Sequence, residues 1–176
     1  MKAEFITPAE VGNYHNLLIA SGDSPASNVV ASVGIADGED LLTRVDIVAS
    51  AGYSCFQSVR CSDGLVYVGF GQHVFVVDIQ LNQIRRQRLD GYFGHLYDAN
   101  DLEKLDSRFS VLATSASELL AYGRKGDLLW KRSGLGIDGV VMDSVNSGLL
   151  NGQGEWDPPG GWRPFTVIEK SGDLVR

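Results

Sequence analysis

Cysteine is nearly absent from this chain of 176 residues: Cys55 and Cys61 are the only two. Six positions apart, they can bridge only if the strand between them turns back. There is no Cys-x-x-Cys pair and no His/Cys cluster, so the pattern of a zinc site is missing. The three histidines, His15, His73 and His95, lie far apart and lack metal-ligand spacing. We therefore expect reduced thiols, no metal and no cofactor. Basic charge is also short: 15 Lys and Arg stand against 22 Asp and Glu, a formal net charge of −7. Binding nucleic acid takes clustered Lys and Arg on one face, so a nucleic-acid partner is not expected. The densest basic run, Arg85-Arg86-Gln87-Arg88, reads as the solvated edge of a strand. No segment approaches the roughly 20 apolar residues of a membrane helix. Met1 to Val11 carries Glu4 and Glu10 and no apolar run, unlike a signal peptide, so a cytoplasmic location without a membrane partner is expected. Proline is rare at 5 residues while glycine reaches 21, a balance that favours many tight turns over long helices.

What is present is a repeat. An offset of 45 carries Leu65-Val66-Tyr67-Val68 onto Ser110-Val111-Leu112-Ala113 and Val74-Phe75-Val76-Val77 onto Leu119-Leu120-Ala121-Tyr122. The same offset carries Gly94–Asp98 onto Gly139–Asp143. Within one copy, Phe109–Thr114, Leu119–Arg124, Leu128–Lys131 and Gly139–Asp143 are short β-prone runs. Arg124-Lys125-Gly126-Asp127 forms the turn between two of them. Lys170–Val175 repeats that turn at an offset of 46, and Gly38–Thr43 is another version of it. Asn16–Ala20 and Val29–Ile35 supply further strands.

Repeats of about 45 residues with four short strands have the dimensions of a propeller blade. The runs Leu65-Val66-Tyr67-Val68-Gly69 and Glu118-Leu119-Leu120-Ala121-Tyr122, with Gly126-Asp127-Leu128-Leu129-Trp130 closing a triplet, resemble blades of quinoprotein-type (PQQ-like) and WD-like propellers. The resemblance covers roughly residues 60–145 and implies a fold, without carrying over any cofactor residue. The expectation is one all-β domain over 1–176, a small propeller of about four blades, with a two-sheet β-sandwich as the alternative. The units are drawn at about 14–62, 63–107, 108–147 and 148–176, and the N-terminal strand 3–7 is available to complete the last. Otherwise an open blade edge is available to pair with a second copy, giving a homo-oligomer.

The fourth unit departs from the pattern through Gly152–Trp162, where Trp156 and Trp162 flank Pro158-Pro159 and Gly160-Gly161. An aromatic loop on a repeat scaffold is a natural binding surface, with Trp156 and Trp162 as anchors and Glu155 and Asp157 as acceptors for a basic partner. Equally, the tryptophans could plug the end of the ring. His95, between Phe93 and Tyr97, is a further candidate at a blade edge. Asp98 and Asp143 share a repeat position, which points to turn-capping rather than catalysis. No catalytic residue is assigned. Two functions stay open: a non-enzymatic protein-binding scaffold, immunity-protein-like in one version, or a carbohydrate-active hydrolase or lyase. The second requires Asp98, Asp143, Glu155 and Asp157 to converge on one pocket.

Overall fold

The computed structural model describes residues 1–7, 14–22, 28–38, 41–49 and 56–175. Cys55 lies outside them, so the cysteine pair is not placed. Among the described residues every element is a β-strand, and the strands form four separate sheets. The first sheet holds β1 (Lys2–Ile6), β2 (Asn16–Ser21), β3 (Val29–Asp37) and β4 (Leu41–Val48). Its order is β1-β3-β4-β2, with β2 parallel to β4. The second runs β5 (Gln57–Ser62), β6 (Leu65–Phe70), β7 (His73–Asp78) and β8 (Gln83–Arg88) as a meander. The third repeats that order with β9 (Phe93–Tyr97), β10 (Phe109–Ser115), β11 (Leu119–Gly123) and β12 (Leu128–Arg132). The last has β13 (Val140–Asn146), β14 (Leu149–Glu155) and β15 (Trp162–Ile168), and its fourth strand is reduced to one bridge between Val167 and Leu174. The chain is thus all-β, in four small sheets rather than two large ones. Among the described residues no helix is long and apolar enough to cross a membrane.

The sheets stack in chain order, and the sequence shows why. Along β6, Val66 and Val68 pack with Val33, Ile35, Val45 and Ile47 of the first sheet. The intervening Leu65 and Tyr67 pack with Val111, Leu120 and Tyr122 of the third. Likewise Leu112 and Leu119 turn away from that core to meet Val140, Leu150 and Val167. A strand buried on both faces needs no polar alternation, so β6 and β11 are apolar throughout and buried at every position. The last sheet has a sheet on one side only, and β14 accordingly alternates buried with half-exposed residues. On its outer face Thr166 bonds Asn151 at 2.9 Å and Gln153 bonds Asp143 at 3.1 Å, the polar finish a terminal repeat needs.

Two expectations about the repeat need correction. Gly94–Asp98 falls on β9, which opens the third sheet instead of ending the second, so the sheets begin one strand earlier than the units drawn at 63–107 and 108–147. Residues 3–7 do not complete the last sheet: β1 pairs antiparallel with β3, Phe5 opposite Val33. Phe5 and Ala3 thereby cover the core shared with the second sheet.

The outermost strand of each of the first three sheets clasps a turn of the next. Asn16 of β2 donates to Asn82 in the β7–β8 turn at 2.8 Å. Arg85 of β8 donates to the Lys125 carbonyl in the β11–β12 turn. Trp130 and Arg132 of β12 reach the Glu169 carbonyl at 3.0 Å and Asp173 at 2.7 Å. The arginine run is therefore an exposed edge strand as expected, but its members also bind neighbours on both sides, for Arg86 donates to Ser21 and Gly22 of the first sheet at 3.0 and 2.7 Å. The second and third clasps each close over a glycine at φ +71°, Gly126 beneath Arg85 and Gly172 beneath Trp130. A methyl at Gly126 would lie 2.6 Å from both Arg85 and Val76. Gly148, at φ +77°, has open space instead. Gly148→Ala should cost about 1 kcal/mol, the strain of a positive φ. Gly126→Ala should cost roughly 1–2 kcal/mol more, from the clash, when both are compared by denaturant unfolding. Equal losses would mean that the clasp adds nothing.

The free edge is guarded. Ile168 N–H donates to Asp173 and the Thr166 carbonyl accepts from Val175, so even-numbered residues of β15 turn their backbone groups outward. Pro164 falls in that set, removing a donor from the middle of the open edge. Pro164→Thr should restore the donor and raise self-association, read as concentration-dependent mass in sedimentation; a variant that stays monomeric beside a monomeric parent would show that the proline has no guarding role.

Candidate functional site

The Trp-rich segment is a compact hairpin rather than a long loop. Pairing of β14 with β15 persists to its last pair, Glu155 opposite Trp162. Residues 156–161 close the turn with Trp156 N–H on the Gly161 carbonyl and Gly161 N–H on the Asp157 carbonyl, both at 3.0 Å. The Glu155 carboxylate folds over it and accepts from Gly160 N–H at 2.6 Å. Glu155 thus holds the turn, while Asp157 is exposed at its tip. Neither tryptophan joins the hydrophobic cores of the described residues. The Arg163 guanidinium sits 5.9 Å from the Trp156 ring. Trp162 is 40% exposed. Its ring reaches Gly139, where a Cβ would come within 3.1 Å of it.

His95 lies on β9 with its ring 5.6 Å from Phe56 and 5.9 Å from Tyr97. Burial against these neighbours lowers its pKa below the ordinary histidine value, so near neutral pH it presents an uncharged ring. Phe56 also stacks on Tyr92 at 6.1 Å and 29°. The Tyr92 hydroxyl donates to both the backbone carbonyl and the carboxylate of Asp138. Asp138 belongs to the segment entering β13, which pairs with the hairpin: Ile137 N–H bonds the Glu155 carbonyl at 2.8 Å, and Glu155 N–H bonds the Gly139 carbonyl at 2.9 Å. A continuous line of contacts therefore joins His95, Phe56 and Tyr92 to Asp138, Glu155 and Trp162. Three of the residues singled out in sequence fall on it. Phe56, Tyr92 and Asp138 were not singled out. Tyr92 sat visibly beside Phe93 and His95, whereas only the stacking of the second sheet on the third brings in Phe56.

The other carboxylates have local partners. Asp98 is buried and its Oδ1 accepts from Asn100 N–H at 2.7 Å, the turn-capping role expected of it. Asp143, its repeat equivalent, instead takes the Gln153 amide on the outer face of the last sheet. Compared with protein-family models and with curated proteins, the chain matches no family model and no curated protein.

Proposed function

We propose that the chain is a non-enzymatic binding module, a propeller-like array of small sheets that holds a basic protein on its β14–β15 hairpin. The observation that carries this reading is Trp162, two-fifths exposed, outside every core cluster and held by a hairpin whose turn is tied by its own backbone and by Glu155. A large aromatic ring fixed in advance loses little freedom on binding, which is the character of an interface hot spot. The chain's net charge of −7 favours a basic partner, as in an immunity protein that masks a toxin. The hydrolase reading draws no support from Asp98, Asp143 and Glu155, each engaged in its own turn or strand. A photo-crosslinking amino acid at position 162, with one at Leu81 as control, tests the proposal in native extract. Leu81 is 64% exposed in the β7–β8 turn of the second sheet. A discrete protein adduct from position 162 and none from 81 is expected. Identical adducts, or none, would refute it.

A further inference from the structure

Resting on that reading, we infer that the binding surface extends from the hairpin across to β9, and that it takes one extended segment carrying a Lys or Arg next to an apolar side chain. The two ends of the surface differ in chemistry. At one end Phe56, 45% exposed, stacks on Tyr92 and packs against the ring of the exposed His95. At the other, Glu155 Oε2 and the ring of the exposed Trp162 both flank Gly139, Asp138 precedes that glycine, and Asp157 is exposed at the tip of the same hairpin. Ile137, 56% exposed, is tied to the hairpin end by its N–H on the Glu155 carbonyl. A cation placed on Trp162 would gain the ring face and the carboxylates together, each strengthening the other. The hairpin already accepts a cation in this way within its own chain, Arg163 over Trp156.

The two ends are linked by a chain of contacts. Phe56 is fixed on Tyr92, Tyr92 on Asp138, and the Asp138 segment on Glu155 by backbone pairing. The two ends are therefore presented together, and a single segment can use both without reordering either. An acidic segment would meet like charge at the hairpin, and a wholly apolar one would cover the carboxylates without supplying a cation.

Panning a phage library of random peptides on the full chain tests this, followed by titration of the selected peptides against Phe56→Ala, Trp162→Ala and Asp138→Asn. All three substitutions fall on exposed or half-exposed side chains, and far-UV dichroism checks that each variant is folded. The expected peptides pair Lys or Arg with a nearby aromatic or aliphatic residue. They should weaken at least about tenfold with Phe56→Ala and again with Trp162→Ala, and should bind less tightly as salt rises. Peptides sensitive to Trp162→Ala but not to Phe56→Ala would overturn the extended surface and leave the hairpin reading standing. Acidic peptides sensitive to Trp162→Ala would overturn the cation assignment alone. Peptides indifferent to both substitutions, or no enrichment, would overturn both readings.

Discussion

Glu118→Ala is expected to cost roughly 2–3 kcal/mol of folding stability, measured by denaturant unfolding at neutral pH. Glu118 is 1% exposed in the β10–β11 turn, at the seam between the second and third sheets. Its Oε2 accepts the Asp90 N–H at 2.8 Å, and its Oε1 takes the Ser133 hydroxyl and the Lys131 ammonium, both also at 2.8 Å. Removing the carboxylate takes the acceptor from the part-buried Asp90 N–H and from the Ser133 hydroxyl, although the exposed Ser133 can turn to water. Lys131 is 38% exposed and can rehydrate, which keeps the loss below that of a fully buried pair. Burial by itself pushes the Glu118 pKa up; the bonds from Lys131, Asp90 N–H and Ser133 together outweigh it, and the net displacement is downward. A carboxyl with a lowered folded-state pKa stabilises fully above its unfolded value, about 4.3, and that contribution is lost as pH falls through the folded value. Glu118→Gln lacks this titration. Its deficit relative to the parent should therefore shrink as the pH is taken below about 4, and a deficit constant with pH would show that the charge of Glu118 is not what stabilises the seam.

Gly154→Ala should cost about 3 kcal/mol or more, lowering the melting temperature by roughly 6–12 °C in a chain of this length. A Cβ at position 154 would fall on the Leu135 carbonyl oxygen, 2.6 Å from its carbon and 3.1 Å from the Gly136 Cα. All three are backbone atoms, and they have little room to retreat. Leu135 N–H is tied to the Ser117 carbonyl at 3.0 Å, and Ile137 N–H to the Glu155 carbonyl at 2.8 Å. Because that segment leads directly into Asp138 and Gly139, displacing it also moves the carboxylate that fixes Tyr92 and the glycine beneath Trp162. On the proposed function, any variant molecules that remain folded should accordingly bind a partner at the hairpin more weakly. A melting temperature within about 2 °C of the parent would mean that the close approach of β14 to this segment is relaxed in solution.

The repeat offset is where the sequence spoke most clearly, and the reason is physical. A middle sheet is buried on both faces by its neighbours, so equivalent strands in successive sheets meet the same demands. Val66 and Val111 therefore stay apolar at matching positions. Strand limits followed closely as well: Leu119–Arg124 was read and β11 is Leu119–Gly123. The frame of the repeat was not legible, because an offset relates equivalent strands without saying which of them opens a sheet. The parallel placement of β2 beside β4 was hidden for a similar reason. Alternation in Asn16–Ser21 announces a strand, and the choice of neighbour is made by the core that Leu18 and Ala20 share with Val45 and Ile47. The hairpin tryptophans stood out in sequence because turns have no need of them. The aromatic end of the surface did not, since Phe56 and Tyr92 are brought together only when one sheet packs on the next.

The proposed binding role requires Trp162 to be a recognition group displayed by the fold rather than a part of its core. Titrating the protein captured at position 162 against the parent and Trp162→Ala, with unfolding recorded on the same samples, tests this most directly. We predict binding at least about tenfold weaker with a stability loss below about 1.5 kcal/mol. Unchanged binding, accompanied by the roughly 3–5 kcal/mol loss of a truncated core aromatic, would contradict it.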